Sequence, residues 1–417
     1  MKKFLSALLI VLTALPGFAF EYGGINYEVI DENAKTCRTV QGSSTSMSGD
    51  VIIPPTVFYN DNNYTVVEIG TNTFYNYRLI TSVTLPDCVT SIAANAFYRC
   101  SLLQSINIPE SVTSIGEYAF YGCSELTSIH LPDNISVIPD RVFASCSKLA
   151  SVNIPAGVTS IGEGAFRNCN ALTSITIPEN VTEIGRSAFD GCQGLTTLVI
   201  PEKITVINYR TFSSCINLTS VQLPENLKTI GDYAFAFCNK LSDINIPTSV
   251  DSIGTYALGY CAFTSIQLPP DIKEIQPSTF EYCTNLSSIT IPAKVSAIGS
   301  GAFGYCKELK EIYYPAENPI ESTVDVFDES IYPTATLYVP AAAVDKAAIT
   351  APWNLFSNIK AYDFTSAIAE IATYIDPAAP VEVYNVSGMK VADSTDSLPA
   401  GIYIVRQGNT VKKITVK

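Results

Sequence analysis

The chain has 417 residues, 47% of them hydrophobic, and its 39 acidic against 25 basic side chains give a formal net charge of −14. This acidic surplus disfavours binding to nucleic acid or to an anionic membrane, because both ligands attract basic surfaces. The length alone predicts two or three globular domains, but an internal repeat overrides that expectation.

Residues 1–19 have the layout of a secretory signal peptide. Lys2 and Lys3 supply positive charge, residues 4–15 are almost all apolar, and Gly17 and Ala19 are small residues at the positions that signal peptidase recognises. The apolar run is too short to span a bilayer comfortably. We therefore expect cleavage after Ala19 and a mature protein outside the cytoplasm, secreted or on the cell surface, with no transmembrane segment.

A 23-residue repeat follows, marked by regularly spaced prolines, with one residue missing before the ninth. These prolines are Pro86, Pro109, Pro132, Pro155, Pro178, Pro201, Pro224, Pro247, Pro269, Pro292 and Pro315. A fixed period in the twenties is the signature of a solenoid, in which each coil buries its apolar face only by stacking on its neighbours.

One unit illustrates the predicted coil. Residues 103–108 form a short strand with inward apolar side chains, and Pro109 ends it because proline has no backbone donor. Residues 112–115 form a second extended piece. Apolar residues within 119–123 are spaced i, i+1 and i+4, which predicts the inward face of a short helical turn. The predicted fold is therefore a leucine-rich-repeat-like solenoid of parallel β-strands, short helical turns and 23-residue coils.

Two apolar columns repeat from coil to coil and define the predicted core. The aromatic column is Phe74, Phe97, Phe120, Phe143, Phe166, Phe189, Phe212, Phe235, Leu258, Phe280 and Phe303. The leucine column includes Leu126, Leu149, Leu172, Leu195, Leu218, Leu241, Leu286 and Leu309, with Phe263 in the shortened coil.

Ten of the twelve cysteines form a further column, which we call the cysteine ladder. It consists of Cys100, Cys123, Cys146, Cys169, Cys192, Cys215, Cys238, Cys261, Cys283 and Cys306. A string of metal ions or a chain of disulfides is conceivable, but no histidine or paired spacing marks a zinc site. We expect buried free thiols, since free cysteine behaves as a small hydrophobe. Cys37 and Cys88 lie outside the ladder and could bridge the N-terminal cap to the first coils.

The unit Ile-x-Ile/Leu-Pro-x-x-Val-Thr-x-Ile-Gly-x-x-Ala-Phe-x-x-Cys-x-x-Leu resembles the BspA-type leucine-rich repeat. The resemblance implies an N-terminal cap at residues 20–53, repeats at 54–315, and a last coil with a C-terminal cap at 316–363. Within that cap we expect a helix at about 341–349 to cover the last sheet edge. The resemblance also implies a surface or secreted adhesion protein without catalytic residues.

The tail, residues 364–417, is expected to hold a linker and a small antiparallel β unit. Its segments 383–388, 401–405 and 412–417 alternate apolar and polar residues. They are similar to the type A sorting domain of type IX secretion, which implies delivery to the outer cell surface.

Catalysis, metal binding and cofactors are not expected. The single histidine, His130, is predicted to face solvent from a strand. An acidic column follows the prolines, and stacked carboxylates could bind calcium, but no Gly-Asp calcium motif accompanies them. We interpret them as solvated turn residues: Asp87, Glu110, Asp133, Glu179, Glu202 and Glu225.

The position before the ladder cysteine becomes aromatic in four successive coils near the C-terminal end of the repeats. With two tyrosines four residues upstream, the set predicts an aromatic stripe on one face. The stripe consists of Tyr233, Phe237, Tyr256, Tyr260, Tyr282 and Tyr305. It is either a stacking ladder that stabilises the turns or a binding surface, because aromatic residues are enriched at interfaces.

The exposed strand columns are small and uncharged, and they offer a second candidate surface. Together these features predict an exported adhesion or interaction protein that binds a host or bacterial protein partner of unknown identity. The alternative is a glycan-binding surface protein that uses the aromatic stripe.

Overall fold

The computed structural model describes residues 19–43, 45–364 and four strands between residues 381 and 416. Contacts divide the chain into two units, one with residues up to 339 and 343–360, the other with 340–342 and 361–417. The expected signal peptide lies outside the described residues, apart from Ala19, and so does most of the expected linker.

The N-terminal strands begin the solenoid. They are β1 (Ala19–Tyr22), β2 (Ile25–Asp31), β3 (Thr36–Val40), β4 (Ser48–Ile52), β5 (Thr56–Tyr59) and β6 (Asn62–Ile69). Strands β1, β2 and β3 pair antiparallel, whereas β3 pairs parallel with β6. Strand β5 pairs antiparallel with β6. The repeats therefore stack on a preformed sheet rather than on an open edge.

The coils contribute strands to two parallel rows. The first row contains β7 (Leu79–Thr84), β9 (Ser105–Ile106), β11 (Ser128–Ile129), β13 (Ser151–Val152), β16 (Thr197–Val199), β18 (Ser220–Gln222), β20 (Asp243–Ile244), β22 (Ser265–Ile266), β24 (Ser288–Thr290) and β26 (Glu311–Tyr313). The second row contains β8 (Ser91–Ile92), β10 (Ser114–Ile115), β12 (Val137–Ile138), β14 (Ser160–Ile161), β15 (Glu183–Ile184), β17 (Val206–Ile207), β19 (Thr229–Ile230), β21 (Ser252–Ile253), β23 (Glu274–Ile275) and β25 (Ala297–Ile298). The parallel solenoid with 23-residue coils is confirmed.

The strand register follows the repeat, so identical positions of successive coils lie side by side. Ser91 pairs with Ser114, and Thr197 pairs with Ser220. The aromatic column is buried, and ring centroids from Phe74 to Phe235 stack at 5.3–5.6 Å. Leu258 interrupts this stack.

The aromatic stack resumes after Leu258 and extends one coil beyond the predicted column. Phe280 stacks on Phe303, and Phe303 stacks on Phe327 with centroids 5.3 Å apart. The last ring lies in the C-terminal cap, so the cap shares the core of the repeats.

The segment expected to be a helical turn is not a helix but a run of tight turns. In the coil of Phe97, Tyr98 donates its N–H to Asn95 three residues back, whereas Phe97 donates to Ala119 of the next coil. Alternate N–H groups therefore point along the solenoid axis, which a helix does not allow. The prediction was wrong because apolar spacing over five residues does not separate a helical turn from consecutive tight turns.

The side chains of the cysteine ladder are buried beneath these turns. Each ladder thiol is free and donates to the backbone carbonyl of the aromatic-column residue of the preceding coil, for example Cys100 Sγ to Phe74 O at 3.1 Å and Cys123 Sγ to Phe97 O at 3.2 Å. Burial raises the pKa of Cys146 to about 12. A protonated thiol is a weak nucleophile, so disulfide exchange within the folded ladder is disfavoured.

The bridge considered between Cys37 and Cys88 is not formed, because each thiol is directed at a backbone carbonyl instead. Cys37 Sγ lies 4.0 Å from Tyr64 O, and Cys88 Sγ lies 3.2 Å from Val66 O. Burial raises the pKa of both thiols.

Titration of thiols tests this arrangement directly. We expect the denatured, unreduced protein to react with a thiol reagent at all twelve cysteines, and the native protein to react far more slowly. The same titration after reduction is the control. A higher count after reduction would show that part of the ladder is oxidised.

The C-terminal cap differs from the expected single helix. Its elements are a 3₁₀ turn Glu329–Ile331, β27 (Thr336–Val339), a 3₁₀ turn Ala341–Ala343, α1 (Val344–Ala347), a 3₁₀ turn Trp353–Leu355 and β28 (Asn358–Ala361). Strand β28 takes the edge of the sheet next to β27. A four-residue helix is too short to cover an edge, so a strand does so.

The tail unit contains β29 (Val381–Asn385), β30 (Lys390–Ala392), β31 (Gly401–Gln407) and β32 (Thr410–Val416). They form a four-stranded antiparallel sheet in the order β30-β29-β31-β32. The small C-terminal β unit predicted from the alternating pattern is thus present.

Candidate binding surface

The tight turns hold two residues per coil in the left-handed backbone region, four positions apart. The first position is occupied by Asn72, Asn95, Tyr118, Arg141, Gly164, Ser187, Arg210, Tyr233, Tyr256, Ser278 and Gly301. The second is occupied by Asn76, Arg99, Gly122, Ser145, Asn168, Gly191, Ser214, Phe237, Tyr260, Tyr282 and Tyr305. Their φ angles lie between 51° and 75°. We call the surface that carries these side chains the turn face.

The structure brings all six stripe residues together on the turn face. Tyr233 stacks on Tyr256 with ring centroids 5.2 Å apart, and Phe237 contacts Tyr260 at 4.9 Å. Tyr260 then stacks on Tyr282 at 4.4 Å, and Tyr282 on Tyr305 at 4.1 Å. Five of the side chains are half-buried, whereas Tyr305 is 45% exposed.

Hydroxyl groups link the rings of the stripe. The pKa of Tyr282 rises to about 12, mainly because its hydroxyl hydrogen-bonds Tyr305. Burial and the nearby carboxylate of Glu281 raise the pKa of Tyr256. Tyr256 and Tyr282 therefore keep uncharged hydroxyls at neutral pH.

Cations flank the stripe at both ends, and the sequence analysis did not predict them. Arg210 lies over the rings of Tyr209 and Tyr233, with its guanidinium carbon 5.1 Å from the Tyr233 centroid. At the other end Lys307 Nζ lies 5.9 Å from the Tyr305 centroid. Tyr209 is 24 residues before Tyr233, one off the period, so the repeat pattern does not align the two.

A second aromatic stack lies on the turn face of the first coils. Tyr75 stacks on Tyr98 at 4.7 Å, and Tyr98 on Tyr121 at 4.8 Å. Tyr118 packs beside them at 5.9 Å from Tyr121. These three stacked tyrosines follow the aromatic column at the 23-residue period, so the sequence carried a signal that could have found them.

The exposed side chains of the two strand rows form a surface that we call the strand face. Some of its polar side chains hydrogen-bond to the backbone of the preceding coil and so hold the coils together. The Asn107 amide exchanges two hydrogen bonds with the backbone of Leu85, at 2.8 and 2.9 Å, and Asn153 does the same with Leu131. The first row is also interrupted at Ser174–Ile175, which is not assigned to a strand. The strand face is therefore a less continuous surface than the stripe.

The side chains considered for chemistry lie apart and exposed. His130 is 72% exposed and lies 3.7 Å from Glu110. The acidic column is exposed throughout. Within the described part of the chain, no three His, Cys, Asp or Glu side chains converge as metal ligands would. The helices described there lack the length and apolar character needed to cross a bilayer.

Comparison with known families identifies the repeat. A family model described as the BspA type leucine rich repeat region matches in six copies, over residues 67–196, 138–261 and 205–331. The chain belongs to this family. No match was found among curated proteins.

Two crystal structures of bacterial leucine-rich repeat proteins have a similar fold. A leucine-rich repeat protein from Bacteroides ovatus is 29% identical, with 82% of this chain and 88% of that chain covered and a TM-score of 0.58. A leucine rich cell surface protein from Faecalibacterium prausnitzii is 27% identical, with 84% and 97% covered and a TM-score of 0.51.

Proposed function

We propose that this protein is an exported or cell-surface adhesion protein that binds a protein partner through the aromatic stripe. BspA-type repeats form extended surfaces suited to protein interaction, and repeats of this kind are typically non-enzymatic. The observation that carries the proposal is the continuous set of ring contacts, stacked or tilted, that joins the six stripe side chains on the turn face.

The backbone supports a role for these particular side chains. A non-glycine residue in the left-handed region costs on the order of 1 kcal/mol or more, and glycine and asparagine are the easier occupants. Asn168, Gly191 and Ser214 occupy the second left-handed position in the central coils. Four successive aromatic residues at that position, despite this backbone cost, support a role of their side chains in contacts with a partner.

Ring geometry favours a protein partner over a sugar. A sugar typically packs on the face of an aromatic ring, and in the stripe most faces are already stacked on the next ring, as between Tyr282 and Tyr305 with an interplanar angle of 7°. Ring edges and hydroxyls are what the stripe offers to solvent. Tyrosine of this kind supplies contact area at low entropic cost in protein interfaces.

The proposed location rests on three further observations. The signal-peptide layout of residues 1–19 supports export. The antiparallel tail unit is compatible with a sorting domain of type IX secretion, and the relative from F. prausnitzii is described as a cell surface protein. Cell fractionation with an antibody against the repeats would locate the protein.

Immobilised protein should bind saturably to at least one member of a panel of extracellular-matrix proteins. Replacement of Phe237, Tyr260, Tyr282 and Tyr305 by asparagine should weaken that binding at least about 100-fold, because buried aromatic contacts each contribute about 2 kcal/mol at an interface. Asparagine suits the left-handed backbone, as Asn168 shows, so the coils should stay folded although ring stacking is lost.

Substitution of Ser214 by asparagine is the matched control, since it alters the same position in a coil without stripe rings. This control should bind normally. Unchanged affinity of the stripe variant would refute the proposed site, and saturable binding only to neutral polysaccharides would move the protein to the glycan-binding class.

A further inference from the structure

A groove crosses the turn face in the first coils, far along the chain from the stripe. It has a volume of about 360 Å³ and is lined by Arg78, Arg99, Ser101, Tyr121, Gly122, Ser124 and Ser145. These residues come from four consecutive coils, so at about 4.8 Å per coil the groove extends roughly 14 Å along the axis. This length suits an extended ligand better than a single ion.

Two guanidinium groups of the groove carry uncompensated positive charge. Among the described residues, arginine ion pairs are formed by Arg38, Arg141 and Arg167. Arg78 and Arg99 are exposed, and neither forms an ion pair with another described side chain. Glu125, which follows Ser124, is already paired with Lys148 at 2.7 Å. A local cationic site thus lies on a chain with a net charge of −14.

The local backbone is adapted to hold Arg99 there. Arg99 has a φ angle of +56°, and in other coils asparagine occupies the equivalent position with the same left-handed backbone. Gly122 lies one coil further on, and a Cβ atom on it would lie 3.3 Å from Arg99 Cγ. The missing side chain at Gly122 therefore leaves room for the arginine stem and opens the groove between Arg99 and Ser145.

An aromatic ring and hydroxyls complete the groove. Tyr121 contacts the rings of Tyr98 and Tyr118, and the position after the aromatic column in the next coil is Ala144, so the stack ends at Tyr121. Ser101, Ser124 and Ser145 add hydroxyls. Guanidinium groups pair with planar or tetrahedral oxyanions, whereas a ring and hydroxyls suit the rest of a sugar.

We propose that this groove binds an acidic oligosaccharide, with its sulfate or carboxylate groups held by Arg78 and Arg99 and a sugar ring against Tyr121. The site is separate from the stripe and does not depend on the adhesion proposal. An acidic peptide could pair with the same two guanidinium groups, but its backbone and side chains would contact the Tyr121 ring and the serine hydroxyls less well than a sugar.

Isothermal titration calorimetry on the full protein provides the test, with a heparin-derived oligosaccharide (sulfated), oligogalacturonate (carboxylated), dextran (neutral) and poly-glutamate as probes. We expect binding of one or both acidic sugars, weakened by added salt, and none of dextran. The double variant Arg78→Ser, Arg99→Asn should lose about tenfold or more in affinity.

Each substituted residue already occurs at the matching place of an adjacent coil, Ser101 for Arg78 and Asn76 for Arg99, so the fold should persist. Lys228→Thr with Lys273→Thr is the control, because it removes the same charge elsewhere and threonine occupies that position at Thr205. Failure to bind either acidic sugar, equal affinity of the arginine variant and the parent, or equally tight binding of poly-glutamate would each overturn the proposal.

Discussion

Raising the pH above about 9 should unfold the solenoid over a narrow range. Burial raises the pKa of Cys146, Cys238 and Cys283 from 9.0 to about 12, and it raises the pKa of the other ladder thiols as well. Between the unfolded and folded pKa, only the unfolded chain loses these protons. The stabilising effect is therefore complete below pH 9 and is lost progressively as the pH rises toward 12.

The expected slope is large because many equivalent thiols titrate together. Each contributes up to about 1.4 kcal/mol per pH unit to the loss of unfolding free energy. A few such groups exhaust a typical stability of about 5–15 kcal/mol. Circular dichroism during an alkaline titration, with reductant present, measures the midpoint. Tyr332, whose pKa burial raises to about 12, begins to contribute only above about pH 10.

A variant with Cys146, Cys238 and Cys283 changed to alanine separates the thiols from other titrating groups. Its unfolding free energy at neutral pH should fall, since thiol packing and three hydrogen bonds to carbonyls are removed. Its decline above pH 9 should nevertheless be shallower than that of the parent. An identical slope would show that the ladder does not control alkaline stability.

Phe189→Ala should destabilise the solenoid by about 3–5 kcal/mol, the usual range for deletion of a buried phenylalanine. Phe189 is fully buried between Phe166, at 5.3 Å, and Phe212, at 5.5 Å, so the substitution removes two ring contacts and leaves a cavity. Urea denaturation measures the change. In a repeat array the effect should be largest in the adjoining coils, which amide hydrogen exchange would localise.

The chain itself supplies the matched control for this substitution. Leu258 occupies the aromatic column in one coil and is fully buried there, so Phe189→Leu should cost about 1 kcal/mol. Equal losses for alanine and leucine would mean that ring stacking, rather than filled volume, dominates this column.

The repeat allowed most of the fold to be predicted, because its period identifies which residues share a column. Strand positions such as Ser105–Ile106 and the buried aromatic column follow from that alignment. The form of the turn was missed, although Asn95 and Asn168, residues that tolerate left-handed backbone, stood at its two special positions. The tolerance of asparagine for left-handed backbone is weaker evidence than the apolar spacing, and that spacing predicted a helix.

The candidate surfaces were predicted unevenly for a related reason. The stripe recurs at fixed positions and was found, whereas the groove depends on residues that break the pattern. Arg78, Arg99 and Gly122 each differ from the residue of the next coil, and only the structure shows that they adjoin. Residues that depart from the repeat can be assigned to a common site only when the structure shows which of them are neighbours.

At the two left-handed positions, the backbone and the side chain have separate roles. Their backbone N–H groups bond to the next coil, as Arg99 N does to Tyr121 O at 2.7 Å, whatever side chain is attached. The side chains at these positions take no part in the aromatic, leucine or cysteine columns. Ligand specificity can therefore diverge by single substitutions on the turn face while the core stays constant, which makes each coil an independently adjustable recognition element.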